Sequence, residues 1–177
     1  AREMRENLDR MRRTGATVRY LQADVRDAEA LAALIDSVYA EFGRLDGVIH
    51  GAGIIEDKLV EDKTPESFDR VFDTKADSAF VLARTLRPES LKFMALFSSA
   101  AGAFGNRGQA DYAATNEVVN KLALLLDRDW PGRVVALNWG PWLKTGMVGQ
   151  ELQRQFAERG IQLITIDAGR KLFEQEL

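Results

Sequence analysis

Phe93-Met94-Ala95-Leu96-Phe97-Ser98-Ser99-Ala100-Ala101-Gly102-Ala103-Phe104-Gly105-Asn106-Arg107-Gly108-Gln109-Ala110-Asp111-Tyr112-Ala113-Ala114-Thr115-Asn116 is the stretch from which the fold is read. Phe93 to Phe97 is an uncharged apolar run, and the serines that follow end it. Gly102, Gly105 and Gly108 permit close turns, and from Asp111 the pattern becomes helical as far as Asp129. Trp130-Pro131-Gly132 breaks that helix, and Val134 to Leu137 is the next strand. A strand that is apolar throughout, rather than alternating, belongs to a parallel sheet with helices on both faces.

The same alternation extends upstream. Met4, Leu8 and Met11 recur at helical spacing among charges until Thr14-Gly15, a usual helix stop. Thr17 to Leu21 is β-branched and aromatic and predicts a strand. Asp27 caps a helix whose apolar stripe is Leu31, Leu34, Ile35, Val38 and Phe42, stopped by Gly43. Leu45 to Ile49 predicts a strand, followed by the small-residue turn His50-Gly51-Ala52-Gly53. Thr64-Pro65-Glu66 starts a helix predicted to run to about Leu86, with Phe68, Val71, Phe72, Ala76, Ala79, Phe80 and Ala83 inward. A final short helix begins at Asp167. The pattern predicts an α/β domain, a Rossmann-like doubly wound parallel sheet, whose ligands sit at the carboxyl ends of the strands. Asp24, Gly51 to Gly53, Ser99 and Asn138 all fall at such ends.

Composition narrows the function. The 177 residues fit one domain. A net charge of −3 gives no pull toward nucleic acid or an anionic membrane, and no apolar run approaches the ~20 residues of a membrane span. The absence of cysteine excludes disulfides and thiolate metal sites, and is compatible with a reducing cytoplasm. A single histidine, His50, argues against a histidine metal centre or a Ser-His-Asp hydrolase; no metal is expected, and His50 reads as a structural residue.

The chemistry lies in a serine and a tyrosine. Ser99 ends a strand, and the glycines after it let a helix begin close by, carrying Tyr112 and, one turn on, Asn116. A hydroxyl and a phenol converging on one point polarise a carbonyl and protonate it. A phenol with a pKa of about 10 needs a cation nearby to act as an acid. Lys75 is the candidate, set among Phe72, Ala76 and Ala79, where an unpaired charge is costly; its stem either buries there or snorkels to the surface. Lys121 points to another face of the Tyr112 helix.

These residues resemble the short-chain dehydrogenase/reductase superfamily, and more closely the ketoreductase domains of polyketide synthases. The general superfamily carries lysine four residues after its tyrosine; here Asn116 stands there. In synthase ketoreductases lysine and asparagine have exchanged places, and Lys75 matches the displaced lysine. The resemblance implies a catalytic set of Tyr112, Ser99, Lys75 and Asn116, and NADPH as cofactor. Asp24, Val25, Gly51, Ala52, Gly53, Lys75, Tyr112, Asn138, Gly140, Pro141, Trp142 and Thr145 would contact that cofactor. Residues 144–160 would form a substrate lid. Asp57, Phe104, Gln109 and Met147 would control substrate orientation: Ile55-Glu56-Asp57 resembles the Leu-Asp-Asp motif of the class giving a D-hydroxyl, and Phe104 stands where the opposing class has tryptophan.

The implied reaction is reduction of a β-ketoacyl thioester on an acyl carrier protein, with other synthase domains in the same polypeptide. The family pattern places a strand, glycine-rich loop, helix and second strand ahead of Ala1, so residues 1–177 are expected to be the C-terminal portion of one ketoreductase domain. Two alternatives stand beside this: a stand-alone short-chain dehydrogenase acting on a small-molecule ketone or alcohol, and an inert structural half-domain.

Overall fold

The computed structural model describes residues 2–143, 154, 156, 158 and 160–177. Three strands form one parallel sheet in the order β1 (Gly47–His50), β2 (Phe93–Ser99), β3 (Arg133–Trp139). Gly47 pairs with Phe93 and His50 with Leu96; Phe93 pairs with Arg133 and Ser99 with Trp139. Parallel neighbours need crossovers, and the helices supply them. After α1 (Arg2–Arg13) and α2 (Ala28–Phe42), α3 (Pro65–Phe72), a π-helical turn (Asp73–Asp77) and α4 (Ser78–Thr85) join β1 to β2. α5 (Ala100–Phe104) and α6 (Ala110–Asp129) join β2 to β3, and α7 (Ile166–Glu176) follows.

The cap chemistry explains where the helices begin. Asp27 accepts the Ala30 N–H at 3.0 Å, and Thr64 accepts that of Ser67 at 3.2 Å with Pro65 in the first turn. Gly43 closes α2 at φ 75°, its N–H donating to the Tyr39 carbonyl. Met94, Ala95 and Leu96 are fully buried in the central strand. They share one core with Leu31, Ile35 and Tyr39 of α2, Val81 and Leu82 of α4, and Val119, Leu122 and Leu126 of α6. Asp127, near the end of α6, accepts the Val134 N–H at 2.8 Å and so ties that helix to the start of β3.

Three sequence expectations are corrected. Thr17–Leu21 joins no ladder among the described residues; Thr17, Arg19 and Leu21 instead line a cleft of about 700 Å³ together with Leu45 and Asp46. Phe42 is exposed, and Tyr39 fills the core position at that end of α2. Phe80 is exposed as well. The π-helical turn inserts a residue into the helical repeat, so the face that carries Val71 and Ala76 continues through Ala79 and Leu82 while Phe80 turns outward.

Beyond β3 the chain folds back on the sheet. Trp142 pairs with Ile164, whose N–H donates to Pro141 O at 2.9 Å and whose carbonyl accepts from Leu143 at 2.8 Å. Trp139 packs on Trp142 and edge-on against Phe97, and Phe97 meets Phe173 of α7. Gly169 is required in α7, because a β-carbon there would lie 2.1 Å from the Trp142 ring. This aromatic cluster holds the segment 139–143 at the carboxyl end of β3.

Candidate active site

The carboxyl ends of β1 and β2 gather the expected residues around a buried cation. Lys75 is only 6% exposed, so its stem does not snorkel. Its Nζ donates to the Phe97 carbonyl and to Asn116 Oδ1, both at 2.9 Å, and lies 5.3 Å from the centroid of the Tyr112 ring. Asn116 in turn donates from Nδ2 to the Tyr112 carbonyl at 2.7 Å. The asparagine therefore joins the lysine to the helical turn carrying the tyrosine. Neither bond to Lys75 is ionic, and burial pushes its pKa down to about 8.

The π-helical turn is what aims Lys75 inward. The Ser78 N–H reaches back five residues to the Asp73 carbonyl, and the Lys75 carbonyl is met from the side by His50. Nε2 of His50 stands 3.0 Å from that carbonyl, and since a carbonyl only accepts, Nε2 carries the proton. Ser78 Oγ lies 3.1 Å from the same nitrogen and donates to Thr74 O at 2.7 Å. Burial first, and the Lys75 charge besides, hold the His50 pKa below its usual value against the opposing effect of that carbonyl. His50 is thus a buried brace of the Lys75 turn, as its strand-end position suggests.

Glycines make the room. A β-carbon on Gly53 would fall 2.9 Å from Lys75 Cε. One on Gly102 would fall 2.9 Å from Asn116 Cβ and 3.0 Å from backbone atoms of α6, so α5 and α6 cross closely only because that residue is glycine. Gly105 and Gly108 adopt φ 71° and 81° in the turn between them. Ser99 caps α5 by accepting the Ala101 N–H at 3.2 Å, which leaves its own hydroxyl hydrogen to donate elsewhere. Ser98, the neighbour, is structural: the single hydroxyl hydrogen on its Oγ is shared between Asn116 O at 3.2 Å and Asn138 Oδ1 at 3.3 Å.

The family model for the KR domain matches residues 1–144. The chain belongs to the KR domain family. This KR domain is 38% identical over 170 residues to one subunit of the polyunsaturated fatty acid synthase of Thraustochytrium sp. (strain ATCC 26185 / S-3), covering 96% of the chain and 6% of that protein. It is also 38% identical over 182 residues to a spectinabilin polyketide synthase system protein of Streptomyces orinoci, covering 100% of the chain and 8% of that protein. Among solved structures, the ketoreductase from the first module of phoslactomycin biosynthesis in Streptomyces sp. HK803 superposes with a TM-score of 0.92 at 32% identity, over 99% of this chain and 40% of that one. A ketoreductase domain from the bacillaene assembly line gives 0.87 at 32%, over 99% and 44%. The KR domain thus spans less than a tenth of the curated relatives named here and under half of the solved ketoreductases. KR domains of polyketide synthases are oxidoreductases of the nicotinamide-dependent class, and the three-stranded parallel sheet is consistent with their Rossmann fold.

The remaining expected residues divide. Asp57 and Gln109 meet, the Gln109 amide donating to both carboxylate oxygens at 3.0 and 3.1 Å. Phe104, 88% exposed, stands in solvent. Asp24 is held by Arg26 at 2.6 Å, whose hydrogen bonds pull its pKa down to about 2, and Val25 packs on the core. Gly140, Pro141 and Trp142 are ordered by the contacts to Ile164. Thr145 and Met147, and most of the lid expected over 144–160, lie outside the described residues. Glu56 is no free surface charge: Ser67 and Arg70 bind it at 2.6 to 2.7 Å, and Arg70 first among them lowers its pKa to about 2. Sequence reasoning missed Lys63 and Asp111, a buried ion pair of 2.6 Å beside Tyr112. Their separation of 48 positions left no pattern to find them by.

Among the described residues no helix is long and apolar enough to cross a membrane, and no group of three or more His, Cys, Asp or Glu is placed to hold a metal.

Proposed function

We propose that this chain reduces a β-ketoacyl thioester carried on an acyl carrier protein to the D-3-hydroxyacyl thioester, using NADPH. It does so as the C-terminal portion of one ketoreductase domain in a larger synthase polypeptide. The observation that carries the reading is the buried Lys75 ammonium beneath the Tyr112 ring, braced by Asn116 and Phe97 O.

Local features fit a nicotinamide cofactor. The turn Gly51-Ala52-Gly53 follows the end of β1 with small residues, and a side chain at Gly53 would crowd Lys75. Two of the three N–H groups of the Lys75 ammonium are spent on Phe97 and Asn116, which leaves one for a ribose hydroxyl. Gly51, Ala52, Gly53, Lys75, Tyr112, Asn138, Gly140, Pro141 and Trp142 would hold the cofactor, with Asp24 and Val25 at its far end. When bound, NADPH supplies the hydride.

The chain's own work is acid catalysis and orientation. Tyr112 gives its phenolic proton to the ketone oxygen as the carbonyl is reduced. Ser99, whose lone pair already takes the Ala101 N–H, donates its hydroxyl hydrogen to the same oxygen and fixes the carbonyl's direction. The Lys75 cation stabilises the phenolate left on Tyr112, and in a water-poor site that interaction is strong. Asn116 keeps Lys75 in place, and Asp57 with Gln109 borders the approach to Tyr112. The small share of each synthase that the chain spans supports its working beside other synthase domains.

The test is the oxidation of NADPH by the full polypeptide with acetoacetyl groups on an acyl carrier protein and, separately, with a free cyclic ketone. Faster turnover of the carrier-bound ketone, giving D-3-hydroxybutyryl product, supports the reading. Turnover of the free ketone alone would point to a stand-alone dehydrogenase, and no NADPH binding to an inert domain.

A further inference from the structure

Lys63 and Asp111 have no part in the chemistry above, yet they are the most deeply buried ion pair among the described residues. Nζ and Oδ2 are 2.6 Å apart, with side chains 5% and 1% exposed. In every other described pair both side chains are at least 26% exposed. A buried pair is a poor source of stability, since desolvation of two charges offsets most of their attraction. What it does supply is geometry.

Each partner grips backbone of a different element. The other oxygen of Asp111, Oδ1, accepts the N–H of Tyr112 at 2.8 Å, one of the first-turn N–H groups that a helix leaves unpaired. Lys63 Nζ also donates to the carbonyl of Glu56. The loop that begins at Glu56 is stitched to the same place twice more. Lys58 N–H donates to Gly108 O at 2.9 Å, and Gln109 binds Asp57. Gln109–Asp57 is exposed to water and correspondingly weak. Only Lys63–Asp111 joins the loop 56–58 to the tyrosine's own turn through charges shielded from solvent.

We infer that Lys63 and Asp111 are positioning residues that set where the loop 56–58 stands relative to Tyr112, and thereby which face of the ketone is reduced. This rests on Tyr112 as the proton donor. With its oxygen held at that phenol, a ketone has two ways to lie, related by exchange of its two substituents, and they yield opposite hydroxyls. A wall fixed beside the phenol excludes one of them. A wall free to shift admits both.

The experiment uses the full-length polypeptide that carries these residues, acetoacetyl-N-acetylcysteamine as probe substrate, and NADPH. It measures the D to L ratio of the 3-hydroxybutyryl product by chiral chromatography, with NADPH affinity by fluorescence titration as the check on folding. In Lys63→Met the ratio is expected to fall about tenfold, within the range that one lost positioning contact produces, while NADPH affinity holds. An unchanged ratio, even with slower turnover, would make the pair merely structural and overturn the inference, as would a wild-type product that is already racemic. Should Lys63→Met lose NADPH binding, Asp111→Asn decides, since it retains an acceptor for the Tyr112 N–H: a fallen ratio supports the pairing role and an unchanged one overturns it. Wild-type protein that reduces no ketone overturns the functional reading and this inference together.

Discussion

The Lys75 ammonium lies 5.3 Å from the centre of the Tyr112 ring, the two residues arriving from different helices and joined through Asn116. At this range a cation is attracted to the ring face and still more to a phenolate. In the proposed mechanism the ammonium stabilises the phenolate formed when Tyr112 gives up its proton, and the consequences are measurable.

The first concerns pH. Burial leaves Lys75 with a pKa of about 8, so the ammonium that assists Tyr112 is lost as pH rises through that value. Ketone reduction by the wild type should therefore decline above pH 8. Lys75→Met should slow turnover about 10²-fold and abolish the decline that follows loss of the ammonium near pH 8. A pH–rate profile of both proteins checks this, and coincident profiles would remove Lys75 from the mechanism.

Stability should change with pH in the opposite sense. The folded-state pKa of Lys75 is depressed, from 10.5 to about 8. Between those values the unfolded chain binds the extra proton, so the native state gains stability as pH rises. The gain totals about 3 kcal/mol at most. Denaturant titration at pH 7.5 and pH 10 should show it in the wild type relative to Lys75→Met, whose stability lacks this contribution.

Asn116→Ala removes an acceptor from a buried ammonium, and a hydrogen bond to a charged group contributes about 1.5–3 kcal/mol. Chemical unfolding should show a loss of that size, with activity falling further than stability because Lys75 is released from the Tyr112 turn. Equal activity would mean that Phe97 O alone holds the lysine.

Gly53→Ala separates room from fold. The added methyl would meet Lys75 Cε at 2.9 Å, near the end of a flexible side chain that can shift. Stability should change by less than about 1 kcal/mol, while displacement of the ammonium by about 1 Å costs on the order of a hundredfold in turnover. Thermal melts and steady-state rates together check it; a fold that collapses would show that Lys75 cannot yield.

Much of this arrangement was legible in the sequence, because it is local. The continuous apolar runs marked β2 and β3, Asp27 and Thr64-Pro65 marked helix starts, and glycine spacing placed Tyr112 close to the end of β2. Lys75 was legible as an inward residue, though pattern alone left its stem free to snorkel. What periodicity missed are the departures from it. One continuous helix through Leu86 hid the π-helical turn, and with it the outward swing of Phe80. Thr17–Leu21 has strand-forming residues, but a strand is a partnership, and none of the described strands pairs with it. Lys63 looks like a loop charge and Asp111 like an ordinary acid at a helix start until folding brings them together.

The most direct test of the central claim is single-turnover hydride transfer in Tyr112→Phe, with NADPH affinity measured on the same protein. The variant keeps the ring over Lys75 and loses the hydroxyl that carries the proton. The account predicts that NADPH binding persists while ketone reduction falls by about 10²–10⁴-fold, the contribution of a positioned general acid. Reduction at the wild-type rate would contradict it.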